Sequence, residues 1–384
     1  MADKFFYLKL GNGNCLAEYW LNLEEKIPNV LNGPAAAIYF GTITTEKITP
    51  LIDKPYEEAK EQFKLLTESR DKPKGNRDFK AVKDFFTAGY NAGKTENGET
   101  KFVTISRGIV YIYEPKDGVS DMPEGKYDAY DDDLDKLAEA EKNKAVAEKI
   151  EGMKVERKRQ DGPKHIPKIM PVKNVKEYEV KDVPHVLASL SCNQYYSQGT
   201  CRKINDWGAI QAIKHVLCQK KIIVSEDKLI ELLSPYELET LVFLILKNEG
   251  LFVPAWRGGT QKDIDIIARN LTNNEIRISK IIFEPKESKT FQVKKDIEKD
   301  IRGKIPPEVR ANFLVIANSK QKLFRNKKNL DDQWLRFKEE KILDANWLLE
   351  QIKSEKQQET RKWLINSLEW VKDIRMLIEN TKTL

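Results

Sequence analysis

The stretch GGTQKDIDIIARN, residues 258–270, places two glycines ahead of two acids and then a short apolar run. Asp265 is followed directly by Ile266, Ile267 and Ala268. This reads as a turn entering a buried strand with a carboxylate at its mouth. A carboxylate there is costly to bury unless something binds it.

Upstream, SPYELETLVFLILKNEG predicts a helix. Ser234 is the expected N-cap, Pro235 the first helical residue, Glu237 and Glu239 the acids of the first turn, and Gly250 the stop. A short strand over 251–255 precedes the glycine turn. Beyond the Asp265 strand, RISKIIFEP, KTFQVKK and EVRANFLVIAN each read as strands. The resulting α-β-β-β-α-β order predicts an α/β sheet with helices on both faces.

Four polar residues line up on those elements. Glu239 lies in the helix, Asp265 on one strand, and Gln292 and Lys294 on a later one. Gln292 and Lys294 are two apart, so their side chains share a face. The set suits metal-dependent phosphodiester cleavage. An acid holds Mg²⁺ against the phosphate, a second oxygen ligand completes the site, and a lysine orients water and offsets developing charge.

The residues PYELE, GGTQKDIDIIA and QVK resemble the motifs of the PD-(D/E)xK nuclease superfamily, and more narrowly its Mrr-like branch, over about 234–318. The resemblance implies a restriction-endonuclease-like α/β/α domain. It carries Glu239, Asp265, Gln292 and Lys294 over as the catalytic set, with Asp265, Gln292 and the Val293 carbonyl as ligands of Mg²⁺ or Mn²⁺. One departure matters. Lys262 and Asp263 stand between the glycines and Ile264. Alternation puts Asp263 and Asp265 on one side, so spacing does not separate them; Asp265 is favoured because it directly precedes the apolar run.

The first half is read as mixed α and β. FFYLKL predicts a strand ending at the GNGN turn, AAAIYFGTI another, and KFVTISRGIVYIYEP two strands broken near Arg107–Gly108. Residues 116–165 are charge-dense and predict an exposed helix or a mobile insertion. LKLGNGNCLAEYWL, TKFVTISRGIVYIYEP and SCNQYYSQGTCRKI resemble the N-terminal module of some Mrr-like restriction proteins, scattered over 5–204. That resemblance implies a β-rich PUA/EVE-like barrel, a group that includes readers of modified bases. A reader of a flipped base needs aromatic walls and hydrogen-bonding groups. Trp20, Tyr195 and Tyr196 are candidates for walls, with Asn193 and Gln194 as amide partners; the competing reading packs Trp20 and the tyrosines into the core. Arg202, Lys203 and Lys262 are candidates for phosphate contacts, as is the basic run at 319–328.

The expected organisation is therefore a recognition domain over 1–204, a linker helix within 205–223 and a nuclease domain over 224–384. The chain has 384 residues and a net charge of +6, with 40% hydrophobic and 33% charged residues. This balance permits a DNA partner without demanding one. Four cysteines and three histidines lack zinc-ligand spacing and fit a reducing cytoplasm. No run of about 18 apolar residues occurs, so no membrane partner is expected. Double-strand cleavage by one site per chain implies a homodimer. Two other readings compete: a nuclease serving repair or gated by a small ligand, and an inactive DNA-binding protein.

Overall fold

The computed structural model describes residues 3–21, 31, 33–39, 43–67, 76–92, 99–155, 166–193, 196, 199–256, 265–273, 275–282, 311–317, 342–343 and 345–379. The chain divides into two compact units of mixed α and β structure. One comprises Met1–Val183 with Leu187–Asp206, the other Pro184–Val186 with Trp207–Leu384. Helix Trp207–Cys218, expected as a connector, belongs to the second unit. Its Gly208 lies so close to the Leu232 carbonyl that a Cβ there would sit 2.7 Å from the oxygen.

The first unit is built on a seven-stranded sheet. Its strands are β1 (Lys4–Leu8), β2 (Ala35–Tyr39), β3 (Thr100–Ser106), β4 (Ile109–Pro115), β5 (Ser120–Asp121), β6 (Pro167–Glu179) and β7 (Cys201–Lys203). The order is β2-β6-β4-β3-β1-β7, with β5 paired to β6 beside this path. β1 runs parallel to β3, with Lys4 opposite Thr100, and antiparallel to β7, with Tyr7 opposite Arg202. The break expected between β3 and β4 is a two-residue hairpin turn, with Arg107 at φ 47° and Gly108 at φ 81°. Two successive positive φ values match the twist of the flanking strands.

The segment expected to be exposed or mobile is instead partly core. Helix Tyr127–Ala140 buries Tyr127, Tyr130, Leu134 and Ala138. Those residues are three or four apart, so they form one stripe; Asp128 and Asp132 face water, whereas half-buried Asp131 and Asp133 accept from the Val155 amide and the Tyr19 hydroxyl. Tyr130 and Leu134 are fully buried, and the Tyr130 ring packs against those of Tyr19 and Trp20. Side chains of this size contribute roughly 1.5–3 kcal/mol each when taken fully from water, which is why a charge-dense helix can still anchor a core.

The second unit carries β8 (Phe252–Trp256), β9 (Ile266–Arg269), β10 (Ile276–Ile282), β11 (Ala311–Ala317) and β12 (Ile342–Leu343), ordered β12-β11-β10-β9-β8. β8, β9 and β10 are successively antiparallel, whereas β10, β11 and β12 are parallel. Helix Pro235–Asn248 packs on β8 and β9. It begins as expected: the Ser234 side chain accepts from the Glu237 amide at 3.2 Å, and Glu237 accepts from the Ser234 amide at 2.8 Å. This reciprocal cap satisfies two amides that a helix start leaves unpaired. Gly250, at φ 84°, ends it in the left-handed region.

Candidate functional site

β9 is hydrogen-bonded by β8 on one edge and β10 on the other. The strand beside Asp265 is therefore 276–282, whereas Gln292, Val293 and Lys294 lie outside the described residues. So do Lys262 and Asp263. Asp265 sits one residue before β9 and is half-buried. Its backbone amide donates to the Ser279 carbonyl at 3.1 Å, and its carboxylate Oδ2 accepts from the Ile281 amide at 2.6 Å. Asp265 thus brackets Lys280, engaging the residue on either side of it. The register that sets Ser279 opposite Ile266 brings Lys280 level with Asp265. Lys280 was not among the residues singled out from the sequence. Ser279 is fully buried, and its hydroxyl has no hydrogen-bond partner among the described residues.

The two helix acids have different roles. Glu237 is buried and committed to the cap, with His185 Nδ1 3.6 Å from its other oxygen. Glu239 is half-buried and falls just beyond the first turn, which holds only Glu237 as an acid. The helix that carries Glu239 packs against the strand that Asp265 opens. Among the described residues, no group of three His, Cys, Asp or Glu side chains is placed to hold a metal ion. The donor type nevertheless fits Mg²⁺. That ion takes hard oxygen ligands and is commonly held by one or two carboxylates, with water and substrate phosphate filling the remaining positions.

In the first unit, Trp20 is a core residue. It is fully buried, its indole N–H donates to the Tyr39 hydroxyl at 3.0 Å, and its ring stacks on Tyr130 at 5.6 Å. Tyr19 closes on the same pair edge-on, 5.0 Å from Trp20. Tyr196 is also buried, 5.8 Å from Tyr7. Burial pushes the Tyr7 phenol up to about 12, against the hydrogen bond from Asn14. Asn193 is half-buried and its carbonyl accepts from the Tyr196 amide at 3.0 Å. Gln194 and Tyr195 lie outside the described residues.

Arg202 and Lys203 share β7 but not an environment. Lys203 is exposed, whereas Arg202 is 7% exposed and folds over Gly199, where a Cβ would sit 2.1 Å from its Nε. Gly199 of the GT motif therefore makes room for the guanidinium. Asp84, on helix Asn76–Tyr90, was not singled out from the sequence. Its Oδ2 is buried without a hydrogen-bond partner among the described residues. Burial pushes its carboxyl up, opposed by the charges of Lys80, Arg202, Lys203 and Lys83. No local motif marks it, because Arg202 and Lys203 come from β7, more than a hundred residues away.

Among the described residues, no helix is long and apolar enough to cross a membrane. No protein-family model, curated protein or solved structure matches this chain.

Proposed function

We propose that this protein is a Mg²⁺-dependent DNA endonuclease of PD-(D/E)xK type. Its second unit cuts, and its first, a PUA/EVE-like module in this reading, directs it to DNA in intracellular defence against foreign DNA. The observation that carries the reading is the bracket of Asp265 around Lys280 at the mouth of β9, beside the helix that bears Glu239. It comes in the element order of helix, three antiparallel strands and a parallel fourth.

In this reading, Glu239 and Asp265 hold the ion with water and phosphate oxygens, and Gln292 and the Val293 carbonyl add ligands. Bound Mg²⁺ would neutralise phosphate charge and lower the pKa of an attacking water. Asp265 would then hold the ion with a carboxylate that also accepts the Ile281 ladder amide through Oδ2. A lysine ammonium, from Lys294 or Lys280, would orient the water and stabilise charge building on the phosphate. A homodimer would bring two such sites to the two strands of a duplex.

A second reading has its own observation. Asp265 completes a strand ladder whether or not an ion binds, so the same geometry serves a DNA-binding protein that does not cut. The test is incubation of the full chain with unmodified and base-modified DNA, in Mg²⁺, Mn²⁺ or EDTA. Metal-dependent cleavage supports the nuclease. Binding without cleavage in every metal supports the second reading, and neither binding nor cleavage overturns both.

A further inference from the structure

The GNGN turn after β1 sets Asn12 and Asn14 in opposite circumstances. Asn14 is buried and fully engaged. Its Oδ1 accepts from the Leu10 amide at 2.9 Å, and its Nδ2 donates to the Ile105 carbonyl at 2.7 Å and to the Tyr7 hydroxyl at 3.2 Å. Its own carbonyl accepts from the Ser106 hydroxyl at 3.0 Å. Asn14 thereby ties the turn to β1 and β3. Asn12 is exposed at the tip, and its side-chain amide has no hydrogen-bond partner among the described residues.

Gly13 follows Asn12. It is also exposed, and at φ 70° and ψ 29° it departs from helical geometry inside the short 3-10 helix Asn12–Asn14. In such a turn the bonds run from residue i to i+3, so with Gly11 as the cap the first donor is Asn14. The Gly13 amide is left out of the turn's own bonds, and no other backbone carbonyl among the described residues accepts from it. No side chain shields that nitrogen either. Within 4 Å of where a Cβ would stand lies only the end of exposed Lys149, at 3.8 Å.

A free amide nitrogen next to an untethered asparagine side chain permits a reaction that needs no enzyme, and asparagine is among the thermolabile residues. The Gly13 nitrogen gives its proton to water or hydroxide and attacks Asn12 Cγ. The Cγ–Nδ2 bond breaks, ammonia leaves, and a five-membered succinimide closes. Water then opens the ring. Breaking the new bond from nitrogen to Cγ gives aspartate. Breaking the old bond from nitrogen to the Asn12 carbonyl carbon gives isoaspartate, in which the backbone runs through Cβ and Cγ. Water is the only co-reactant.

We propose that Asn12 is a self-modification site of the first unit, converting through a succinimide to aspartate and isoaspartate while its neighbour Asn14 is protected. The proposal does not depend on the nuclease reading. Among the described residues, Asn12 is the only asparagine followed by glycine; the Asn–Gly steps at 32–33 and 97–98 begin outside them. Isoaspartate lengthens the backbone two residues before Asn14. Asn14 then no longer meets Leu10 and Ile105 in the same register, and buried polar groups that lose their partners are costly. The hold of the turn on β1 and β3 loosens.

The test ages the full chain in mildly alkaline buffer at body temperature, beside a synthetic peptide of residues 9–17. Digests are compared with reference peptides carrying Asn, Asp or isoaspartate at position 12. Conversion at Asn12 is expected within severalfold of the peptide's rate and faster as pH rises, with Asn14 unchanged. Asn12→Gln, whose longer side chain closes the corresponding ring far more slowly, is expected to stay intact. Hydrogen exchange is the second readout: aged wild type should exchange faster than fresh protein over 4–8 and 100–106, and aged Asn12→Gln should not. An Asn12 that outlasts the peptide many times over, or an Asn14 that converts alongside it, overturns the proposal. Conversion with unchanged exchange in β1 and β3 overturns the loosening.

Discussion

The Asp265 carboxylate and the Ile281 backbone amide are hydrogen-bonded at 2.6 Å, so the acid expected to hold a metal also completes the ladder between β9 and β10. Its two oxygens can divide these tasks, and substitutions can separate them. Asp265→Asn keeps an oxygen acceptor for Ile281 but loses the charge. It is expected to melt close to wild type and to lose cleavage by a factor on the order of 10² or more. Asp265→Ala loses both and is expected to destabilise as well, by about 1.5–3 kcal/mol, the usual worth of a hydrogen bond to a charged group. Thermal melts beside a cleavage assay check this. Normal cutting by Asp265→Asn would remove Asp265 from the site.

Two lysines compete for one role. Lys294 follows from the QVK motif, and Lys280 from its place level with Asp265 in the register. The register favours Lys280, so Lys280→Ala is expected to abolish cleavage while Lys294→Ala retains most of it. Single-turnover cleavage by both variants decides the matter, and the reverse outcome restores the motif assignment.

Trp20 tests the aromatic pocket. Because it is fully buried and tied to Tyr39, Trp20→Ala is expected to cost about 3–5 kcal/mol, the range for large aromatic core truncations. Denaturant unfolding measures this. A folded Trp20→Ala protein of undiminished stability that has lost only its DNA preference would make Trp20 a binding residue after all.

Asp84 gives a pH dependence of definite sign. Burial raises its carboxyl above the ordinary value of 3.8, so the folded chain holds its proton at pH values where the unfolded chain has released it. The stability associated with this proton is therefore fully present below the unfolded pKa and is lost as pH rises through the folded one. Asp84→Asn mimics the protonated form. It is expected to raise the melting temperature at neutral pH and to make little difference at acid pH. Equal melting of the two proteins at neutral pH would show that the carboxylate is not strained there.

The parts legible in the sequence were those set by near neighbours. Ser234, Pro235, Glu237 and Gly250 announce their helix because a cap is a local device. Arg107–Gly108 announces its hairpin because the turn needs two positive φ values in succession. The stripe of Tyr127, Tyr130, Leu134 and Ala138 was equally local, but high charge hid it; spacing, not composition, carried the signal. Pairing between distant strands was not legible. Nothing near Asp265 says that its partner is 276–282 and not a strand some fifteen residues later. Nothing near Asp84 says that Arg202 lies beside it.

The position of β1 between β3 and β7 also governs when the first unit can assemble. Phe5, Phe6, Tyr7 and Leu8 are synthesised well before their partners: β1 finds one at Thr100 and the other only at Cys201 to Lys203. At ordinary rates of synthesis, about 5–20 residues per second, the wait between β1 and β7 is roughly 10–40 s. Throughout it an apolar strand has at least one open edge, the condition under which chains pair with one another instead of with themselves. Slower, cooler expression shifts that competition toward the native pairing by keeping fewer nascent chains side by side. A chain stopped short of residue 201 never leaves it.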